Sequence, residues 1–277
     1  SRCTRDGVYP TSEWGRAKRE LADDLREHPP LLSRTLDLKK AYKQVATAPT
    51  SDRFAILSYP HQDGTPKFVR SWALPFGATA SVCAFNKLAR AIAWICTVWC
   101  RMILSNFYDD YTLFDFEQTA AETSQVVESV LDLLGWSFAR DGKKYVLFDK
   151  SVITLGVTLD LSGFWQGTLE IGNKPGRAEK IISLLEALRD SDHFDRNALT
   201  VLQGLLNFAG GFVMGSALKP ASRAIAKCLT KDVENPLEGA KRAASLAITI
   251  LQNSEPRRVS CGQDVPPLLV YTDGAYE

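Results

Sequence analysis

The chain has 277 residues, 45% of them apolar and 23% charged, with a formal net charge of +1. That suits a soluble globular protein with a sizeable core, as one large domain or two modest ones, and gives no excess of one charge sign that would announce a nucleic-acid binder. A basic groove balanced by acids elsewhere stays open. Cys3, Cys83, Cys96, Cys100, Cys228 and Cys261 include no CxxC pair and follow no secretory leader, which argues against disulfides and zinc and for a reducing, intracellular compartment.

In chain order, residues 12–27, "SEWGRAKRELADDLRE", predict an exposed, charge-laced helix closed by "HPP". "LLSRTLDL" (31–38) reads as a strand running into the polar bend "KKAYKQV". "RFAILSYP" and "KFVRSWALP" read as strands about the turn "HQDGTP". "ATASVCAFNKLARAIAWICTVWC" reads as a long, mostly buried helix. Its most apolar run, "AIAWICTVWC", is too short to span a membrane and is flanked by Lys87, Arg90 and Arg101. "RMILSNFY" and "YTLFDF" outline a hairpin.

"TAAETSQVVESVLDLLG" is the next helix, with Thr119 and Glu122 at capping-box spacing and Gly135 placed for a C-terminal cap. "YVLF", "VITLGVTLDL" and "GFWQGTLEI" read as strands. From residue 174 the pattern turns helical through "PGRAEKIISLLEALRD", "RNALTVLQGLLNFAGGFVMG" and a segment around 219–231. Residues 253–267 read as a linker, after which "LLVYTDGAYE" begins a new strand. The order predicts an α+β fold, an antiparallel sheet with helices on one face followed by a helical extension.

The chemistry centres on "SNFYDDYTLFDF" (105–116), which places Asp109 and Asp110 side by side where two strands meet. Alone, such a pair suits a solvated turn. Asp37 ends the 31–38 strand with no apolar-face reason to be there, and if that strand lies beside the hairpin, three carboxylates converge at one sheet edge. Anions within ~4–6 Å of each other raise one another's pKa. Oxygen-loving divalent cations relieve that repulsion, and two of them ~3.5–4 Å apart form the clamp used for in-line nucleotidyl transfer.

"LDLKKAYKQV", "ALPFGATASVCAFNK", "NFYDDYTLF" and "GKKYVLFDKSVITLGVTLD" follow the order and approximate spacing of reverse transcriptase motifs A to E. Over roughly residues 31–220 the chain resembles the retroelement branch of LTR, DIRS-like or hepadnaviral-type polymerases. The resemblance implies a palm over 31–173 with a fingers insertion at about 47–73, and a helical thumb over 174–252. It makes 1–30 a remnant with partial fingers and 268–277 the first strand of an RNase H domain. The start at Ser1 and the stop within "YTDGAYE" then read as a piece of a longer retroelement polyprotein.

Carried over residue by residue, the resemblance makes Asp37 and Asp109 the principal ligands of two Mg²⁺ ions, for which Mn²⁺ can substitute, with Asp110 in support. Tyr42 takes the steric-gate position, where a ring collides with a ribose 2′-OH and favours deoxynucleotides. Leu74, Pro75, Phe76 and Gly77 lie against the incoming nucleotide, with Gly77 permitting close backbone approach. Lys144 becomes a general acid for the leaving pyrophosphate. Phe107, Tyr108, Leu155, Gly156 and Val157 contact the primer end. Asp273 is the first carboxylate of the RNase H domain. Two positions depart from the family pattern: Phe107 replaces the usual tyrosine two residues before the Asp pair, and Val82 stands where many relatives have proline.

Lys219, Arg223, Lys227 and Lys231 recur every four residues and form a basic helical stripe suited to phosphates, or equally a solvated face. The expected partners are an RNA or DNA template, a DNA or RNA primer and dNTPs, with no membrane. Two rival readings stand beside it: a catalytically inactive or domesticated element that only binds nucleic acid or a partner, and an RNA-dependent RNA polymerase, against which Tyr42 speaks.

Overall fold

Strand β1 (Leu31–Asp37) alternates as a half-buried strand does, sending Leu32, Arg34 and Leu36 to one face and Ser33, Thr35 and Asp37 to the other. In the computed structural model, which describes residues 28–215, 217–230 and 234–260, β1 is an edge strand of a three-stranded antiparallel sheet. The predicted helix at 12–27, Lys231, Cys3, Cys261 and Asp273 lie outside the described residues.

Strands β4 (Ile103–Phe107) and β5 (Asp110–Phe116) form the predicted hairpin, and β5 is central in the order β1-β5-β4. Between β1 and β4 the chain makes a separate ribbon, β2 (Ile56–Pro60) with β3 (Pro66–Arg70), exposed along both strands. Helices α1 (Thr79–Trp94) and α2 (Glu117–Leu133) cover one sheet face. There Leu36, Tyr111 and Leu113 pack with Phe85, Ala89, Ile92, Val127 and Leu131.

Two charged groups are buried on this helix-covered face. Arg34, 1% exposed, meets Glu128 of α2 at 2.6 Å, donates to the Ser124 hydroxyl and lies over the Tyr145 ring. Asp115 accepts hydrogen bonds from the Thr119 and Thr123 hydroxyls. Engagement of Thr119 with Asp115 explains why the expected capping box is absent: α2 begins at Glu117, and no side chain caps it. Gly135 does adopt the left-handed conformation (φ +78°) just past α2, as expected.

The expectation of a mostly buried first helix is corrected. α1 continues through a wider π-helical turn at Ile95–Trp99. Thr79–Trp99 is, by length and composition, long and apolar enough to cross a membrane, yet only 28% of its most apolar window is buried. A single sheet face can bury one stripe, here Ser81, Phe85, Ala89, Ile92 and Cys96. Trp94 and Trp99 remain exposed and pack edge to face on each other.

"YVLF" forms no strand; the backbone pairs only beyond it, where Asp149 and Ser33 exchange hydrogen bonds of 2.8 and 2.9 Å. "VITLGVTLDL" divides into β6 (Ser151–Thr154) and β7 (Val157–Asp160) about Leu155–Gly156. These join β8 (Thr168–Asn173) and β9 (Arg257–Ser260) in a second antiparallel sheet. β9 falls inside the segment expected to be a linker. It pairs the open edge of β8, and Arg258 meets Glu170 across the ladder at 2.9 Å.

Four helices, α3 (Arg177–Arg189), α4 (Arg196–Ala209), α5 (Lys219–Cys228) and α6 (Pro236–Gln252), build a second core around Leu185, Leu202, Leu206, Ile225 and Ala244. Asp195 caps α4 by accepting from the amides of Asn197 and Ala198. The helix expected through 215 changes to a π-helical turn at Gly210–Met214. On α6, Gly239 lies where a Cβ would come within 2.9 Å of Cys228 Sγ, so its lack of a side chain sets how closely α5 and α6 approach.

Candidate active site

The β4–β5 turn has two residues, Tyr108 and Asp109, between the paired Phe107 and Asp110. Tyr108 takes positive φ (+53°), and the Asn106 side-chain amide donates to its carbonyl at 2.8 Å. Asp109 thus sits at the tip and Asp110 opens β5. Across the ladder Asp110 is the register partner of Asp37, the last residue of β1. Directly opposed residues in an antiparallel pair have Cα atoms ~4.5–5.5 Å apart and project from the same face. That face is the one turned away from α1 and α2.

The carboxylates act on one another. The pKa of Asp110 is raised, first by desolvation against the sheet and then by the charges of Asp109 and Asp37, while Lys144 opposes the shift. Lys144 Nζ lies 2.5 Å from Asp37 Oδ2. Its hydrogen bond and ion pair with Asp37, assisted by Asp109 and Asp110, raise its own pKa and hold it as ammonium.

Backbone pairing after α2 delivers that lysine. Lys39 N donates to Ser137 O and Ala139 N to Asp37 O, so 137–139 runs alongside 37–39 before the single turn at Gly142–Lys144. Gln44 clamps the two segments. Its side chain donates to Lys39 O and Ser137 O and accepts from Ser137 N, all within 2.6–2.8 Å. Sequence reasoning missed Gln44, because nothing in "AYKQV" marks it apart from a solvated polar residue.

Tyr42 is held in the short turn Ala41–Gln44, with its ring stacked on buried Phe85 (4.7 Å) and tilted against exposed Phe76 (4.8 Å). Desolvation, then Asp109 and Tyr108, raise its hydroxyl pKa, which places it beside the carboxylate turn. Leu74 reaches this region because its amide donates to Val45 O, alongside the Ala46–Ala73 bridge. Pro75, Phe76 and Gly77 follow it. Gly77 has φ +87° with nothing of the protein within 4 Å of a Cβ placed there, so its conformation requires glycine and the space beside it is open. At the start of α1 the Val82 amide donates to Ala78 O at 3.3 Å, a bond proline cannot make.

Leu155 and Gly156 form the β6–β7 turn, with Val157 buried below it. This hairpin joins the three-stranded sheet through the Thr112 and Thr154 hydroxyls, 2.6 Å apart. Lys219, Arg223 and Lys227 are exposed on α5, whose opposite stripe of Ala221, Ser222, Ile225 and Cys228 faces the helical core.

Among the described residues, no three His, Cys, Asp or Glu side chains form a preassembled metal-ligand group. The backbone brings Asp37, Asp109 and Asp110 to one edge, and the Lys144 ammonium balances Asp37 there. An all-oxygen anionic donor set, in which the charges of Asp109 and Asp37 disfavour ionisation of Asp110, suits a hard divalent cation.

No family model and no curated protein matches the chain. Solved structures do match in fold. A foamy viral protease-reverse transcriptase in complex with RNA/DNA hybrid superposes with a TM-score of 0.59 at 17% identity, over 80% of this chain and 27% of that one. A second foamy viral structure, a dRH form with ds DNA, gives 0.57 at 17% identity over 82% and 36%, and a third, with dsDNA, gives 0.56 at 17% over 85% and 44%. The chain spans less than half the length of each of these relatives. Its fold is α+β and reverse transcriptase-like.

Proposed function

We propose that this chain is the palm and helical thumb of a retroelement RNA-directed DNA polymerase, extending a primer 3′-OH along an RNA or DNA template with dNTPs. The observation that carries the reading is the pairing of Asp37 with Asp110 beside the Asp109 turn, with Lys144 bonded to Asp37. Asp37 and Asp109, supported by Asp110, would hold Mg²⁺ or Mn²⁺, which supplies charge neutralisation and activation of the attacking oxygen when bound. Lys144, kept charged by its acidic neighbours, is placed to give a proton to the leaving pyrophosphate. The Tyr42 ring, wedged between Phe76 and Phe85, resists displacement and so excludes a 2′-hydroxyl. Exposed Phe76 offers a surface to the nucleotide. The nucleic acids bound in the fold relatives, an RNA/DNA hybrid and dsDNA, support this partner class.

The test is primer extension with Mg²⁺ or Mn²⁺ on recessed RNA and DNA templates. Wild type should add dNTPs and Asp109→Asn should add none. Equal incorporation by the two proteins sinks the assignment. The exposed basic stripe of Lys219, Arg223 and Lys227, which needs no metal to meet phosphates, favours a second reading, a nucleic-acid binder without catalysis. Tight primer–template binding with no incorporation under either metal would select it.

A further inference from the structure

The turn between β6 and β7 is strained. Leu155 has φ +47° and Gly156 has φ +78°, so both take left-handed conformations. Such a turn suits Asn-Gly, and a leucine at its first position is disfavoured by the clash of its Cβ with the backbone. The leucine is also 41% exposed, so core packing does not fix it. Backbone strain of this kind persists only where the surroundings over-determine it.

Two helices supply that constraint. Arg177, at the start of α3, donates from Nη1 to Gly156 O at 2.5 Å. The same guanidinium lies 4.3 Å over the Phe208 ring, near the end of α4. A Cβ on Gly156 would meet Arg177 Nη2 at 2.9 Å and Phe208 Cζ at 3.1 Å. Its φ favours glycine, and any side chain there would push the guanidinium and the ring aside. Arg177 and Phe208 are half-buried, and no signal in "KPGRAEK" or "LLNFAG" pairs them.

We infer that Arg177, braced by Phe208, is a positioning residue that locks the strained Leu155–Gly156 turn to the helical core and so presents the Leu155 side chain to the primer terminus. The inference rests on the polymerase reading for the identity of the partner. The lock itself is a property of the fold. The guanidinium carries two tasks that a neutral side chain cannot combine, a charge-assisted bond to a carbonyl and a cation–π contact. A shift of the helical core thereby reaches the turn directly, and any movement of the helices with the bound duplex would carry Leu155 along.

The experiment uses the full chain as wild type, Arg177→Met, Arg177→Lys and Phe208→Leu, with two readouts. Amide hydrogen exchange over residues 153–158 tests the lock. Equilibrium binding of a recessed primer–template and of a blunt duplex, with extension at saturating primer–template, tests positioning. Arg177→Met should speed exchange at the turn and weaken recessed-end binding about tenfold, the scale of one lost charge-assisted hydrogen bond. It should change blunt-duplex binding less than twofold. Arg177→Lys, keeping a charged donor, should recover part of the loss, and Phe208→Leu should fall between. A purely structural role would weaken both duplexes equally and would overturn the inference. Unchanged exchange in Arg177→Met overturns the lock. A wild type that binds and extends nothing instead overturns the polymerase reading, and the presentation of Leu155 to a primer with it, whatever the exchange shows.

Discussion

Asp37 and Asp110 oppose each other as the final register pair of the β1–β5 ladder, on the sheet face that α1 and α2 leave uncovered. Like charges directly across a ladder destabilise it. Desolvation beside the sheet, then the charges of Asp109 and Asp37, raise the Asp110 pKa although the residue stays exposed. An acid whose folded pKa exceeds its unfolded value contributes stability below the unfolded pKa and loses it as pH rises through the folded one. Asp110→Asn should therefore unfold at a slightly higher temperature than wild type at neutral pH and low salt without metal, and the difference should shrink as salt screens these exposed charges. The gap should close as pH falls through the carboxylate range. A variant less stable than wild type at pH 7 contradicts the repulsion. Thermal unfolding across pH measures it.

Tyr42 sits between Phe85 and Phe76 with Asp109 close by. Replacing it with alanine should open the space a ribose 2′-OH would need. The ratio of dNTP to NTP incorporation should drop by about 10- to 100-fold, the range over which pocket shape discriminates. Competition assays with matched dNTP and NTP report the ratio. A wild type that already prefers NTPs would point to an RNA-dependent RNA polymerase.

The Arg34–Glu128 pair lies behind the sheet, with Arg34 1% exposed and Glu128 23%. Removing one partner strands the other. Arg34→Met should lose about 3–5 kcal/mol in urea unfolding, and the Arg34→Met/Glu128→Met double variant should recover part of it. Additive losses would mean that the two groups do not interact.

On α5, Lys219, Arg223 and Lys227 point outward. Changing all three to alanine should leave the unfolding temperature nearly unchanged. If the stripe tracks phosphates, the slope of log K against log salt should fall by up to ~2–3, because ~0.7–0.9 counterions are released per phosphate neutralised. An unaltered slope identifies the stripe as a solvated face.

Burial pushes the Cys96 thiol up to about 12, so it stays protonated and shielded at neutral pH. Cys83 is exposed. Maleimide labelling followed by peptide mass mapping should modify Cys83 in the native protein and reach Cys96 only after unfolding. Early labelling of Cys96 would show that α1 opens from the sheet.

Much of the site was legible because its parts are local. A strand ending in Asp37, a two-residue turn carrying Asp109, a ring at Tyr42 and a lysine after Gly142 each leave a mark in the sequence, and their order carries the resemblance. Less was legible where a residue's role depends on what arrives from elsewhere. "YVLF" has strand composition but only Ser33–Asp149 pairs nearby. "RRVS" reads as linker and becomes β9 because β8 offers an open edge. Thr119 has capping-box spacing, yet buried Asp115 claims its hydroxyl.

By itself, the sequence determined the alternation that sends Asp37 to the open face, the turn that projects Asp109, and the helical periodicity of the second core. These follow from backbone geometry and short-range burial. Tertiary structure alone decided that Asp37 meets Asp110, that Lys144 closes on Asp37, that only one stripe of α1 is buried, and that Arg177 and Phe208 grip Gly156. Each of those depends on segments far apart in the chain, which only the packing of the sheets and the two cores brings together.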